Sequence, residues 1–221
     1  MSTLTILSKH SGELLAGLLV TLQLCAVVWT VSLGVGGALA VLSARFPRAV
    51  GYPTTIFSLL LSGVPIIVLL FWLHYPAQAL AEVVVRPFIT AAVALSVTGV
   101  FMVADAVRAV LGAFPSQYVT AAKVCGLSER QILVHIKLPI IARSLAPALI
   151  LVGVGLFQAT LFASFISVDE IFRVTQRINS VTYRPVEAFS ALAAFCVAVC
   201  VPFILLSRSL ARRYSRDLSE R

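Results

Sequence analysis

Residues Thr120 to Pro139, TAAKVCGLSERQILVHIKLP, place several charged and polar side chains in the middle of an otherwise apolar chain. The 221 residues are 60% hydrophobic and 12% charged, and their mean hydropathy is +1.01. Soluble domains are about 45–50% apolar and about 25% charged. The composition therefore indicates an integral membrane protein, in which the quoted stretch connects two apolar segments outside the bilayer.

Five apolar stretches are long enough to cross the hydrocarbon core as helices, which takes roughly 20 residues. The predicted spans are Leu14–Leu42, Pro53–Leu73, Phe88–Leu111, Leu145–Ile166 and Val186–Leu206. We therefore predict an all-α integral membrane fold with five transmembrane helices in a single domain, residues 1–221. The loop 112–143, which contains the quoted stretch, lies between spans 3 and 4.

The distribution of cations predicts the orientation of the spans. Twelve of the 17 Lys and Arg residues fall on the side of loop 112–143, whereas the other side holds Lys9, Arg86, Arg173, Arg177 and Arg184. Because cytoplasmic loops carry the excess of Lys and Arg, we expect the N-terminus outside and the C-terminus inside, with loop 112–143 in the cytoplasm. Residues 1–13 lack the features of a secretory signal, so no cleaved signal peptide is expected.

Small residues in span 1 predict close packing against another helix. They form small-xxx-small pairs, which allow two helices to approach closely in lipid. The residues concerned are Gly34, Gly36, Gly37, Ala38 and Ala40.

Two further features interrupt the apolar spans. Pro65, in SGVPIIVLLF, removes a backbone donor in the middle of span 2, so we expect a kink or break there. Asp105 and Arg108 stand at i,i+3 near the cytoplasmic end of span 3. They are expected to form a structural ion pair, with a proton relay as the alternative.

Turn and capping residues in loop 112–143 predict two short helices joined by a tight turn. Pro115 and Ser116 begin the first helix, and Gly126 is a natural C-terminal cap. Ser128 caps the second helix, with Gln131 completing a capping box.

The sequence predicts an apolar face for the second short helix and also predicts where this helix ends. Ile132, Leu133 and Ile136 are expected to form the apolar face, and Pro139 is expected to end the helix. Two short helices with a Gly-containing turn also outline a DNA-binding helix-turn-helix. Because the flanks run directly into membrane spans, an element that docks on a partner protein fits the stretch better.

The residues themselves leave three classes of function open. The first is a transporter subunit moved by a partner that docks on loop 112–143. The second is a stand-alone secondary transporter, for which only Asp105 offers a coupling residue within the spans. The third is a membrane-tethered helix-turn-helix regulator.

The sequence offers no catalytic constellation, so the chain is not expected to be an enzyme. It contains no G-x-x-x-x-G-K-[ST] loop, no nucleophile–base pair and no metal cluster. Cys196 and Cys200 lie at i,i+4, and we interpret them as small packing residues rather than as metal ligands.

The quoted stretch resembles the EAA loop of permease subunits of ATP-binding-cassette (ABC) importers, which has the pattern E-A-A-x3-G followed by I-x-L-P. The residues that match are Ala121, Ala122, Gly126, Ile136, Leu138 and Pro139. SGVPIIVLLF, ADAVRAVLGAFP and VDEIFRVTQRINSVTYRPVEAF resemble segments of the subfamily that imports polar amino acids and opines. The resemblance runs from about Leu15 to Arg213.

The resemblance implies a permease in the bacterial cytoplasmic (inner) membrane that imports a polar amino acid or a related small solute. It also implies a second permease subunit, identical or homologous, and an extracytoplasmic binding protein that delivers the solute. Two partner ATPase subunits would bind ATP and Mg²⁺, so no cofactor is expected on this chain. Membrane lipid surrounds the spans, and no nucleic acid partner is expected.

The resemblance also assigns the contacts with the ATPase to loop 112–143, which we call the coupling loop. The residues expected to take part are Thr120, Ala121, Ala122, Gly126, Leu127, Ser128, Arg130, Ile136, Leu138 and Pro139. Thr120 stands where the family has the Glu that names the motif, so this chain lacks that carboxylate.

Candidate contacts with solute and binding protein lie outside the coupling loop. The candidate pathway residues are Pro65, Gln158 and Thr160. GLFQATLFASF stands where the family has K-D-T-S-L, so only Thr160 matches, and a simple interhelical hydrogen bond remains the alternative for Gln158 and Thr160. In the outer loop before span 5, the candidate binding-protein contacts are Asp169, Glu170, Arg173 and Arg184, with plain solvation as the alternative.

Overall fold

The computed structural model describes residues 9–219, and every regular element in that range is helical. The helices are α1 (Ser11–Arg45), α2 (Tyr52–Ser62), α3 (Ile66–His74), α4 (Pro76–Leu80), α5 (Pro87–Gly112), α6 (Ser116–Val124), α7 (Glu129–Ile132), α8 (Leu138–Thr160), α9 (Ile171–Thr182) and α10 (Pro185–Ser219). Two π-helical turns, Pro47–Gly51 and Leu133–Lys137, precede α2 and α8, and a 3-10 helix, Leu161–Ile166, follows α8. The expectation about a signal peptide concerns residues 1–13, of which 1–8 lie outside the described range.

Four helical segments are long and apolar enough to cross a membrane, and a bent pair of helices supplies a fifth candidate. The continuous segments are Ser11–Arg45, Pro87–Gly112, Glu129–Ile166 and Pro185–Tyr214. They contain predicted spans 1, 3, 4 and 5, so these helices are confirmed. The fifth candidate joins Pro47–Ser62 to Ile66–Leu80 through a bend of 94°.

The bend in span 2 occurs at the proline that the sequence singled out. Helix α2 ends at Ser62, and Pro65 adopts an extended conformation with φ −56° and ψ 134° before α3 begins. The Pro65 carbonyl accepts the backbone N–H groups of Val68 and Leu69 at 2.9 and 3.2 Å. The expected break at Pro65 is confirmed, and span 2 is two half-helices rather than one rod.

The most extensive helix pair joins α1 to α5. A Cβ atom added to Gly36 would lie 2.6 Å from the carbonyl oxygen of Val100 and 2.9 Å from Cβ of Val103, so α1 needs glycine there to approach α5. Ala40 is fully buried in the same interface. Gly34 and Gly37 face open space, so the small-residue prediction is correct for only part of the set.

The apolar core lies between α1, α3, α5, α8 and the 3-10 helix. Its largest buried side chains are Leu24, Val28, Leu70, Leu95, Leu156 and Ile166. The last span, α10, packs mainly against α8, and only 6% of its most apolar window is buried within the chain, compared with 56% for α5. The α10 surface is therefore left for lipid or another subunit to cover.

Candidate functional site

The first helix of the coupling loop, α6, ends at a glycine whose backbone conformation the turn requires. Gly126 has a φ of +76°, and a Cβ atom added there would meet nothing within 4 Å. Its N–H donates to the carbonyl of Lys123 at 3.0 Å, and the N–H of Leu127 donates to the carbonyl of Ala122 at 3.1 Å. These two bonds form a Schellman motif, so the predicted C-terminal cap is confirmed.

The second helix, α7, begins with the predicted capping box. Ser128 Oγ accepts the backbone N–H of Gln131 at 3.3 Å, and Gln131 Oε1 accepts the backbone N–H of Ser128 at 2.8 Å. Across the turn, Lys123 Nζ lies 2.7 Å from Glu129 Oε1 and connects α6 to α7. Local bonds therefore fix the angle between the two helices.

Pro139 does not end the second helix, which corrects the expectation from the sequence. Helix α7 continues through the π-helical turn into α8, so helical structure runs from Glu129 to Ile166. Pro139 lies in the first turn of α8, where its ring matches the helical φ and its missing N–H is tolerated. The N–H of Leu138 donates to the carbonyl of Leu133, which closes the wider π turn. The coupling loop is thus joined to span 4 without a flexible link.

The coupling loop presents apolar side chains on its surface. Val124 is 84% exposed, and Leu133 and Val134 are each nearly half exposed. Ile132 is fully buried and Ile136 is partly buried. Of the predicted apolar face, Ile132 and Ile136 thus turn inward, whereas Leu133, one residue or about 100° further around the helix than Ile132, lies at the surface.

The predicted coupling residues extend from α6 through α7 and the π-helical turn to the first residues of α8. Thr120 is exposed, and its hydroxyl donates to the carbonyl of Ser116 at 3.3 Å. The exposed members of the set are Thr120, Ala121, Gly126, Ser128, Arg130 and Leu138. The buried or partly buried members are Ala122, Leu127, Ile136 and Pro139.

The three candidate pathway residues have different surroundings. Thr160 is fully buried, and its hydroxyl donates to the carbonyl of Phe157 at 2.7 Å and lies 3.9 Å from Cys25 Sγ on α1. Gln158 is exposed, with its amide nitrogen 3.9 Å from Cys200 Sγ. Pro65 is exposed at the break in span 2. In this conformation Gln158 and Pro65 are open to the surface, whereas Thr160 makes internal contacts.

Two apolar grooves separate α1 from α10, and neither contains a candidate pathway residue. The outer groove has a volume of about 330 Å³ and the inner groove one of about 680 Å³, with Leu18 and Phe195 lining both. Trp29 lines the inner groove and packs over Gly153, where a Cβ atom would fall within 2 Å of the indole ring. The grooves carry few polar groups, so they suit hydrocarbon better than a polar solute.

The outer loop before span 5 contains an amphipathic helix, α9, that packs on the beginning of α1. Its buried residues are Ile171, Val174, Thr175 and Ile178. Gly17 of α1 allows the close approach, because an added Cβ would lie 2.7 Å from a methyl carbon of Val174. Thr21 Oγ1 accepts the backbone N–H of Ile171 at 3.1 Å, which ties the first turn of α9 to α1.

Glu170 is the N-cap of α9 and is fully buried, so within this chain it has no surface to offer a binding protein. Its carboxylate accepts the backbone N–H groups of Phe172 and Arg173 at 2.9 and 2.8 Å. Burial raises the pKa of Glu170 to about 7, although the two backbone bonds and the Arg173 guanidinium act in the opposite direction. Within the chain Glu170 therefore caps α9, and a contact of this residue with a binding protein stays a prediction.

The remaining charges of the outer loop pair with one another on the surface. Asp169 Oδ1 lies 3.4 Å from Arg173 Nε and 3.5 Å from Arg177 Nη1, and Arg177 also lies 3.6 Å from Glu13 of α1. Arg184 lies 3.2 Å from Glu187 at the start of α10. These groups are partly or fully exposed, so they remain accessible for contact with a partner.

Sequence reasoning missed α9, although the chain carries a signal for it. Ile171, Val174 and Ile178 follow the i, i+3, i+7 spacing of an amphipathic helix, and Glu170 stands where an acidic N-cap is favoured. Among residues 9–219, no group of three or more His, Cys, Asp or Glu side chains is arranged to hold a metal ion.

Comparison with known proteins places this architecture in a family. Residues 35–219 match the model described as "Binding-protein-dependent transport system inner membrane component". The chain is 27% identical to the arginine ABC transporter permease protein ArtQ of Haemophilus influenzae, over 90% of this chain and 91% of that protein. It is 26% identical to the octopine transport system permease protein OccM of Rhizobium radiobacter, over 91% of this chain and 83% of that protein.

A solved structure has the same fold. The crystal structure of an amino acid ABC transporter with histidines matches with a TM-score of 0.84 at 21% identity, over 96% of this chain and 99% of that one. The family model covers most of the chain, and the helical architecture agrees with it. The chain therefore belongs to the family of binding-protein-dependent transport system inner membrane components, and it is a non-catalytic permease subunit of an ABC importer in the bacterial inner membrane.

Proposed function

We propose that the importer moves a polar amino acid or a related small solute, such as an opine, into the cytoplasm. The names of the arginine and octopine permeases support this class of solute. In the proposed topology the N-terminus and α9 lie on the extracytoplasmic side and the coupling loop lies in the cytoplasm. The excess of Lys and Arg on the side of the coupling loop supports that orientation.

The coupling loop transmits the movement of the ATPase to the spans. The observation that carries this proposal is the continuous helix from Glu129 to Ile166, which joins α7 to span 4. Because no flexible loop separates α7 from α8, a displacement of α7 also moves α8. The Schellman turn at Gly126 and the capping box at Ser128 hold α6 and α7 as one body.

The same geometry argues against a DNA-binding role for the loop. Helix α7 contains four residues before the π turn, and it continues into a membrane span. A recognition helix enters the major groove with its N-terminal residues, and it belongs to a domain with a core of its own. The coupling loop has neither a second helix long enough to read the major groove nor a hydrophobic core of its own.

The chain works in an assembly with several partners. ATP and Mg²⁺ bind to two ATPase subunits, and this chain contributes no nucleotide site. A second permease subunit, identical or homologous, completes the pathway, and the sparsely covered surface of α10 is available for it or for lipid. An extracytoplasmic binding protein delivers the solute and contacts the exposed charges Asp169, Arg173 and Arg184. Glu170 helps to position these charges because it caps α9.

The solute passes near the break in span 2 and the end of span 4. Irregular backbone at membrane depth is tolerated only where protein or water satisfies its polar groups, which supports a pathway role for the segment ending at Pro65. The exposed amide of Gln158 offers both a donor and an acceptor to a polar solute. Thr160 supports this surface from inside through its bond to Phe157.

Co-purification followed by an ATPase screen tests the proposed function. The chain is co-expressed with the ATPase and binding protein encoded beside it, and the complex is assayed with each polar amino acid and opine in turn. We expect one solute group to stimulate ATP hydrolysis only when the binding protein is present. Failure to co-purify any ATPase, or stimulation by no solute of this class, would contradict the proposal.

A further inference from the structure

The half-helix α2 is attached to the rest of the chain in an unusual way. Its only buried side chains are two small hydroxyl residues, Thr54 and Ser58. Five of the large apolar side chains of α2 are more than half exposed, namely Tyr52, Ile56, Phe57, Leu59 and Leu60, whereas Leu61 is partly buried. Little apolar surface of α2 is therefore buried against its neighbours.

Besides the stacking of Phe57 on Phe101 of α5, polar contacts attach α2 to α5. Ser58 Oγ donates a hydrogen bond to one carboxylate oxygen of Asp105, and Arg108 pairs with the other. Arg108 also donates to Thr55 Oγ1 at 3.1 Å, which closes a ring of contacts between the two helices. The ion pair between Asp105 and Arg108 that the sequence predicted is thus confirmed, and it belongs to a cluster that includes α2.

The other half of the broken span is held by packing. Leu70 of α3 is fully buried in the main apolar core, together with Leu95 of α5 and Leu156 of α8. The two halves meet at a bend of 94° around Gly63–Pro65. Span 2 therefore consists of a half anchored in the core and a half held mainly by hydrogen bonds and one aromatic stacking contact, with a non-helical joint between them.

A hydrogen bond between membrane helices is weak enough to break during a transport cycle. Such bonds change a two-state equilibrium by about threefold to tenfold on average. The cluster includes a charged acceptor, and bonds to charged groups are stronger than bonds between neutral groups. Removing the Ser58 hydroxyl leaves the pair of Asp105 and Arg108 intact, so no charge at membrane depth is left without its partner.

We propose that Ser58 and Asp105 are positioning residues for transport, whose hydrogen bond latches α2 against α5 in this conformation. When access alternates, α2 separates from α5 about the Gly63–Pro65 joint, and α3 stays with the core. This inference rests on the ATP-driven transport cycle proposed above. To the movement of the coupling loop it adds a second moving element, α2, and the contact that holds it, the hydrogen bond between Ser58 and Asp105.

The first test weakens the latch without removing a charge. The variants are Ser58→Ala, which removes the donor, and Ser58→Thr, which keeps it. Ser62→Ala is the matched control, because the Ser62 hydroxyl donates to the Ser58 carbonyl of its own helix at 2.7 Å. Each variant is reconstituted in nanodiscs with its ATPase and binding protein, and hydrolysis is measured with and without solute-loaded binding protein.

We expect Ser58→Ala to change the ratio of stimulated to unstimulated hydrolysis by about threefold to tenfold. Ser58→Thr restores the ratio, and Ser62→Ala leaves it unchanged. A loss of protein abundance with an unchanged ratio indicates a merely structural contact and overturns the proposal. Equal effects of Ser58→Ala and Ser62→Ala overturn it as well.

The second test observes the separation itself. Thr54→Cys and Ala104→Cys are introduced singly into a variant in which all four native cysteines are replaced, and their reaction with maleimide is timed during turnover. Thr54 is a buried residue of α2 outside the latch, so the Ser58 donor is kept. Both positions are buried here, but Ala104 lies in the interface of α1 and α5 rather than under α2. We expect ATP and loaded binding protein to speed labelling at position 54 at least about tenfold more than at position 104.

The two tests separate this proposal from the proposed function. If the unmodified chain shows no coupling to its ATPase, the proposed function is wrong and the latch is wrong with it. If the unmodified chain couples normally while position 54 stays protected during turnover, only the latch is wrong. Should the cysteine-free chain fail to fold, the hydrolysis ratios of the serine variants decide the question.

Discussion

Gly126 shows how one backbone conformation positions the coupling loop. Its φ of +76° lies in the left-handed region, which costs a residue with a side chain roughly 1–2 kcal/mol and a β-branched residue more. No atom lies within 4 Å of a Cβ atom added at Gly126, so a substitution there causes no clash. Any effect of the substitution must therefore act through the backbone conformation. The contribution of this residue can therefore be tested separately from packing.

Gly126→Val should leave the spans inserted but uncouple ATP hydrolysis from transport. The valine resists positive φ, so the angle between α6 and α7 changes and the loop no longer fits its partner. The measurement is uptake per ATP hydrolysed by the reconstituted complex, and we expect a drop of at least about fivefold, consistent with the roughly 1–2 kcal/mol cost of the conformation.

Gly112→Val is the control for that substitution. Gly112 also faces open space, but it is a helical residue without positive φ. It should retain normal coupling. Normal coupled uptake in Gly126→Val would contradict the role assigned to the turn.

Glu170 makes the stability of the α1–α9 joint depend on pH. Its pKa of about 7 in the folded chain lies above the ordinary value of 4.5, because burial disfavours the charged form. The folded state thus binds the proton more tightly than the unfolded state. The resulting stabilisation is fully present below about pH 4.5 and is lost as the pH rises through about 7, with a maximum on the order of 3 kcal/mol.

Glu170→Gln should flatten this pH dependence, since the amide cannot ionise but still accepts a backbone N–H. The measurement is the thermal midpoint in detergent from pH 5 to pH 8. For the unmodified chain we expect the midpoint to fall over this range, and for Glu170→Gln to fall less. Asp169→Asn, which changes an exposed neighbouring carboxylate, should keep the full slope. Parallel curves for Glu170→Gln and the unmodified chain would disprove the role of Glu170.

At the scale of elements, the close approach of α1 and α5 depends on one face of α1. Gly36 lies on that face, and an added methyl would press on the carbonyl of Val100 at 2.6 Å. Gly37, one residue further, has nothing within 4 Å of an added Cβ. The two adjacent glycines therefore provide a matched pair for measuring the packing contribution.

Gly36→Ala should lower the stability of the chain by about 1–3 kcal/mol, because overpacking forces the two helices apart. Gly37→Ala should be neutral or slightly stabilising, because alanine has the higher helix propensity. Unfolding of the purified chain in detergent measures both. Equal stabilities for the two variants would show that the interface of α1 and α5 tolerates a larger residue.

The sequence predicted most elements, because apolar length and local capping determine them. Spans 1, 3, 4 and 5, the break at Pro65, the Gly126 turn and the Ser128 capping box all follow from short-range chemistry. Pro139 was misjudged because a proline that ends one helix and a proline that begins the next look alike in sequence. A π turn allowed both helices to join, and no residue pattern indicated it.

Contacts between distant residues were beyond the reach of the sequence. Asp105 and Arg108 are neighbours on one helix, so their pairing was predictable, but Ser58 lies 47 positions before Asp105 and carried no signal. Glu170 looked like a solvated charge, since its burial depends on how α9 packs against Gly17 and Thr21. The site was therefore predictable where it is local and unpredictable where it depends on tertiary packing.

At the scale of the whole molecule, the native cysteines report the orientation. Cys125 is exposed in the coupling loop, whereas Cys200 is buried and Cys25 and Cys196 are partly buried in spans. A maleimide that does not cross membranes should label the chain in inside-out vesicles and not in intact spheroplasts. Cys125→Ser should abolish that labelling.

A cysteine on α9 supplies the opposite control for orientation. Ser180 is exposed on α9, which lies outside in the proposed topology, so Ser180→Cys in the Cys125→Ser background should react in intact spheroplasts. Labelling of Cys125 from outside, or of position 180 from the cytoplasmic side alone, would reverse the proposed topology.

The central claim is that a partner ATPase drives solute import through this chain by moving the coupling loop. The most direct measurement is accumulation of labelled polar amino acids in proteoliposomes that contain this chain, its permease and ATPase partners, and the binding protein. The account predicts uptake that requires ATP and the binding protein, and that Gly126→Val lowers at least about fivefold while hydrolysis continues. Accumulation without the ATPase, or unchanged uptake in Gly126→Val, would contradict it.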